Sequence, residues 1–237
     1  MRCETQRGLV GSRLISGVHR FHSPHFHHRR SFLREAAECG CLRILVFTCS
    51  DLQIHPGQFA QGREVDLVVV RTPANVVHPH VTTACGSPGE LESWMAGCDE
   101  AIVCGHTHCH VLECAVGSKG REGLPHAIAA ALLDRAGPTL QIVNDHYRSL
   151  SDEELLEMAA CENVLVQLEN LQRFPVMAGR LSRGEVRLQG WIYDDETGEM
   201  HTYDPDTCQF LPLASSGTQF AEPWSQFGMT AQTSMAS

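Results

Sequence analysis

The sequence has no apolar run long enough to cross a bilayer, no cluster of basic residues and no even set of cysteines, and each absence removes a class of protein. A membrane-spanning helix needs ~20 predominantly apolar residues, and the apolar stretches here are short, as in residues 42–47 and 65–70. The first sixteen residues mix Arg, Glu and Gln around no sustained apolar core, so no secretory signal is read there. Lys and Arg total 18 against 28 Asp and Glu, for a formal net charge of -10. Phosphate binding needs clustered cations, so a nucleic-acid partner is not expected. Eleven cysteines cannot all pair with one another, and Cys85, Cys98, Cys104, Cys114 and Cys161 stand among apolar or small neighbours. That pattern favours reduced thiols over a disulfide framework, and hence a reducing, cytoplasmic setting with no membrane partner.

What is present is a set of metal donors at the ends of short apolar runs. Cys49 and Asp51 lie in Phe47-Thr-Cys-Ser-Asp51, and His106 and Cys109 lie in His106-Thr-His-Cys109. Cys and His are zinc's preferred ligands, and two thiolates with one imidazole leave a fourth position for water, a carboxylate or substrate. The donors follow Leu42 to Phe47 and Ala101 to Cys104, which read as buried parallel strands. In open α/β sheets, ligand sites lie outside the carboxyl ends of such strands. Pattern and donor chemistry therefore meet at one place.

These stretches resemble the β-class carbonic anhydrases of the bacterial and plant-like kind. The family's Cys-Ser-Asp-Ser-Arg is here Cys49-Ser-Asp51-Leu-Gln53, and its Arg-Asn-x-(Ala/Gly)-Asn is Arg71-Thr-Pro-Ala74-Asn75. Its Cys-Gly-His-Ser-x-Cys-Gly is Cys104-Gly-His106-Thr-His-Cys109-His110. Residues 162–171 and 190–193 continue the likeness, which spans roughly residues 20 to 205. It implies one zinc per chain on Cys49, His106 and Cys109, with Asp51 as a further ligand or as the group that orients zinc-bound hydroxide toward carbon dioxide. The implied reaction is reversible hydration of carbon dioxide to bicarbonate. Arg71, Asn75 and His110 are expected beside the substrate pocket, and a homodimer or higher even assembly is expected as well.

Two positions depart from the family pattern. Where Gln53 stands the family has an Arg, and a bidentate Arg bridge holds a carboxylate away from a metal and keeps it ionised. Gln offers only a neutral amide, so Asp51 is expected to compete for the zinc. Asp51 and Gln53 are thus the candidate catalytic pair. His110 replaces a Gly, and its imidazole either shuttles protons or crowds the pocket. Gln53 also keeps a second function open, a non-catalytic or repurposed zinc protein on the same fold. A relative acting on carbonyl sulfide or carbon disulfide is a third.

The remaining chain reads as one domain over residues 19–213, between a flexible tail over 1–18 and a disordered tail over 214–237. His19 to His28 carries five histidines in ten residues, read either as a second metal site or as a polar helix entry whose Phe21, Phe26 and Phe32 pack. An amphipathic helix is expected over 29–39, a loop over 76–88 and a helix at 90–95. Ser151 to Glu154 is a capping box that opens a long helix running to Phe174. Strands are expected at 65–70, 185–193 and 200–203. Gly117 to Gly123 spells G-x-x-G-x-x-G but follows no strand directly, so it is not read as a phosphate loop. The fold class expected is α/β, a mostly parallel central sheet with an antiparallel edge strand, flanked by helices.

Overall fold

The computed structural model of the protein describes residues 43–58, 66–77, 88–116, 126–147 and 149–213. The chain divides into two compact units, of which the smaller, residues 1–42 with 62–66, lies almost wholly outside the described residues. The larger is residues 43–61 with 67–237. The N-terminal tail, the His19 to His28 tract, the helix over 29–39, the G-x-x-G-x-x-G segment and the tail from 214 fall outside the described residues.

A six-stranded sheet forms the centre, in the order β2-β1-β3-β4-β5-β6. Its strands are β1 (Arg43–Cys49), β2 (Asp66–Thr72), β3 (Glu100–His106), β4 (Arg187–Tyr193), β5 (Met200–Asp204) and β6 (Gln209–Pro212). β1, β3 and β4 run parallel, β5 pairs antiparallel with β4, and β6 pairs antiparallel with β5. Every residue of β3 is buried, as are Leu45 to Cys49 of β1, which is why both read as continuous apolar runs with no alternation. Pairing of Thr48 with Cys104 fixes the register. One residue beyond Thr48 is Cys49 and two beyond Cys104 is His106, so both strands deliver a donor at the same edge.

The helices are α1 (Pro88–Gly97), α2 (His110–Val116), α3 (His126–His146), α4 (Asp152–Gln172) and α5 (Pro175–Ser182). α4 opens on the expected capping box: Ser151 Oγ accepts from the amide of Glu154 at 3.4 Å, and the amide of Ser151 donates to Glu154 Oε2 at 2.9 Å. It packs against β3 and β4 through two glycines. A Cβ at Gly105 would stand 2.8 Å from Val164 Cγ2, and one at Gly190 would stand 2.9 Å from Val164 Cγ1. Only a missing side chain admits the helix at that distance.

Three features extend the sequence reading. The long helix stops at Gln172, and Pro175 starts a new one, since proline suits a first helical turn and not an interior. α3 runs through Gly137 and Pro138, residues that punctuate most helical patterns and so mask this one. The antiparallel edge has a second strand, β6, four residues long and ending in Pro212, which an edge position tolerates.

Candidate metal centre

The site forms where the chain leaves β1 and β3. After Cys49 the backbone is pinned to β2 by Ser50 N donating to Thr72 O at 3.0 Å. Arg71 then clips the loop, its Nη1 donating to Leu52 O at 2.9 Å and its Nη2 to Ile54 O at 2.6 Å. After His106 the chain reverses at His108, whose φ of 52 is in the left-handed region, and Cys109 lies just before α2. These two turns bring Cys49, Asp51, His106 and Cys109 together, with one potential ligand atom from each lying within 4.8 Å of all the others.

The contacts inside the group are short. Cys49 Sγ and Cys109 Sγ are 3.7 Å apart, and Asp51 Oδ1 lies 2.8 Å from His106 Nε2. Asp51 Oδ2 accepts from the main-chain amide of His110 at 3.0 Å. Gln53 is exposed and its Nε2 donates to the main-chain carbonyl of Asp51 at 3.2 Å, so it restrains the loop and leaves the carboxylate alone. Burial pushes Asp51 up, but His106 and Cys49 outweigh it and hold the carboxyl well below the usual range. The bond from Cys109 brings the Cys49 thiol down to about 6 against its burial, and the same bond together with burial pushes Cys109 well up. Burial would lower His106, yet its bonds to Asp51, Cys49 and Asp195 hold it up at about 10.

A buried network stands behind Cys49. The amide of Ala74 donates to Cys49 Sγ at 3.2 Å, from a turn in which Ala74 and Asn75 have φ of 53 and 47. α4 supports that turn: Asn163 Nδ2 donates to Ala74 O at 2.7 Å and to Asn75 Oδ1 at 3.3 Å, and Val77 N donates to Gln167 Oε1 at 2.8 Å. Asn75 is 1% exposed and serves this turn.

The donor set suits zinc. Two sulfurs each about 2.3 Å from one tetrahedral zinc stand about 3.8 Å apart, close to the observed separation of Cys49 and Cys109. Among the described residues this is the one such cluster of His, Cys and carboxylate groups. Cys104, by contrast, packs with Val46 and Ile102, and burial pushes its thiol up to about 12, as befits an inert core residue. No described cysteine is in a disulfide.

A family model described as carbonic anhydrase matches residues 44–200. The solved structure of the β-carbonic anhydrase CcaA is similar at a TM-score of 0.72 and 33% identity, covering 86% of this chain and 92% of that one. The chain belongs to the β-carbonic anhydrase family. Two curated carbonic anhydrases are also similar to it. That of Synechocystis sp. is 34% identical over 195 residues, 81% of this chain and 70% of its own length. Carbonic anhydrase 1 of Escherichia coli O157:H7 is 29% identical over 218 residues, 90% of this chain and 97% of its own.

Within this β-carbonic anhydrase fold, the sequence candidates separate into those that converge and those that do not. Cys49, Asp51, His106 and Cys109 converge. Gln53, Arg71 and Asn75 hold loops through main-chain or amide bonds. His110 contributes its amide, while its imidazole is 74% exposed and lies 3.4 Å from Glu113 on α2. One residue beside the cluster escapes sequence reasoning: Asp195, whose Oδ2 is 2.7 Å from His106 Nδ1. Its signal was the doubled Asp194-Asp195 at the carboxyl end of β4, the sheet edge where ligand sites gather.

Proposed function

We propose that this chain is a zinc enzyme that interconverts carbon dioxide and bicarbonate, with one ion per chain held by Cys49, His106 and Cys109. The observation that carries the proposal is the convergence of four donors of zinc's preferred type within 4.8 Å at the carboxyl ends of β1 and β3. Zinc there supplies Lewis acidity, the property that makes water a nucleophile near neutral pH. Asp51 is the switching group. Turned toward His106, its carboxylate fills the fourth donor position; turned away, it accepts a hydrogen bond from water and aims it at the substrate carbon. The amide of His110 holds Asp51 in the first arrangement, and Gln53 supplies nothing that favours the second. The reading is therefore of an enzyme whose resting site is closed by its own carboxylate.

Among the described residues the sheet ends in β2 on one side and β6 on the other, and strand edges are commonly covered by assembly, so we propose a homodimer or an even multiple of it. The free thiols fit a reducing cytoplasm. Among the described residues no helix is long and apolar enough to cross a membrane.

Elemental analysis joined to a carbon dioxide hydration assay tests the proposal. Purified protein is expected to carry about one zinc per chain and to hydrate carbon dioxide, with both lost in Cys49→Ser and His106→Ala. Protein that binds zinc but hydrates nothing at any pH supports the non-catalytic reading; protein that binds no zinc overturns both.

A further inference from the structure

His106 faces two carboxylates. Its Nε2 points into the donor cluster, whereas its Nδ1 meets Asp195, which is not a member of that cluster. Two sets of bonds place Asp195. Parallel pairing sets His106 beside Tyr193, and Thr107 N donates to Tyr193 O at 3.0 Å. Thr107 Oγ1 in turn accepts from the amide of Asp195 at 2.9 Å. The hairpin itself is built by the preceding residue. Asp194 Oδ1 accepts from the amides of Glu196 and Thr197 at 2.8 and 3.2 Å, and its Oδ2 accepts from Thr197 Oγ1 at 2.7 Å. Gly198, at a φ of +75, closes the turn by donating to Asp194 O at 2.9 Å. The side chain of Asp195 has no part in those bonds.

We propose that Asp195 is a positioning residue for the metal centre, holding the proton of His106 on Nδ1 so that the lone pair of Nε2 faces the cluster. A neutral imidazole carries one N–H, and the group that accepts from it decides which nitrogen is left to ligate. A carboxylate in that place also raises the basicity of the ligating nitrogen and stops the ring from rotating. Asp195 thereby does for His106 what the Ala74 amide does for Cys49: it fixes a donor from behind. The proposal rests on the reading that the cluster holds zinc.

The test is zinc affinity by chelator competition for wild type, Asp195→Asn and Asp195→Ala, with the melting temperature of each zinc-stripped protein measured alongside. Asp195→Ala is expected to bind zinc about 10- to 100-fold more weakly, and Asp195→Asn to fall between, because an amide oxygen accepts the Nδ1 proton without charge. A proton spectrum of zinc-loaded wild type is expected to show a protected Nδ1–H resonance that shifts in Asp195→Asn and disappears in Asp195→Ala. Should Asp195→Ala fail to fold, the isosteric Asp195→Asn and its shifted resonance carry the result. Variants that bind zinc as tightly as wild type, with the resonance unmoved, overturn the role of Asp195 alone. Wild type that binds no zinc overturns the functional reading on which it rests.

Discussion

Asp51 Oδ1 lies 2.8 Å from His106 Nε2, and on the proposed reading the carboxylate takes the place of a fourth ligand. Its other oxygen is held by the amide of His110, so the arrangement is fixed by backbone that a side-chain substitution does not remove. Asp51→Ala frees that place while deleting the acceptor that would orient water. It is expected to retain zinc through Cys49, His106 and Cys109 and to lose carbon dioxide hydration by about 10²-fold or more. Elemental analysis with stopped-flow hydration checks both halves; a faster Asp51→Ala would show that the carboxylate only inhibits.

Metal uptake is expected to release protons. In zinc-stripped protein at about pH 7.5, His106, held up at about 10, carries its proton, and Cys109, pushed up, carries its own. Cys49, at about 6, and Asp51 are already ionised. Ligation needs neutral imidazole and thiolates, so zinc should expel about two protons, and affinity should fall as pH falls, by about a hundredfold per unit above pH ~6. Below that, Cys49 adds a third proton and the fall steepens. Calorimetry in buffers of different ionisation enthalpy measures the count, and uptake without proton release would contradict these assignments.

The network behind Cys49 should matter to both stability and metal. Asn163 is fully buried; Thr139 Oγ1 and Gln167 Nε2 donate to its Oδ1 at 3.0 and 3.2 Å, while its Nδ2 serves Ala74 O. Asn163→Ala strands these partners at a cost of about 1–3 kcal/mol. The melting temperature should drop by roughly 2–4 °C for each kcal/mol. Zinc should bind more weakly too, since the Ala74 amide that meets Cys49 loses its support. Thermal melts and chelator competition on the same variant check the pair of effects.

The strands that carry Cys49 and His106 were legible because burial on both faces leaves an unbroken apolar run, and the capping box of α4 because its bonds join residues three apart. Other parts depend on what a sequence does not display. Asp195 reaches His106 through sheet register and a hairpin, across a separation of 89 residues. His110 reads as an imidazole, yet what it gives the site is a main-chain amide, which any residue but proline would supply. Arg71 and Asn75, expected beside a substrate pocket, also bond the chain, Arg71 to the carbonyls of Leu52 and Ile54 and Asn75 to the side-chain amide of Asn163, partners that motif position does not reveal. α3 is hidden by Gly137-Pro138, and β6 by its shortness and terminal proline.

On the proposed reading Asp51 competes for the metal because Gln53 does not restrain it, and stopped-flow carbon dioxide hydration of zinc-loaded wild type and Gln53→Arg, from about pH 7 to about pH 9, is the decisive measurement. A charge-assisted bridge contributes about 1.5–3 kcal/mol, enough for roughly a tenfold to hundredfold shift between the closed and open sites. Wild type should be slow at about pH 7 and quicken toward pH ~9, and Gln53→Arg should raise turnover most at the acid end. Full wild-type activity at about pH 7 that Gln53→Arg leaves unchanged would contradict it.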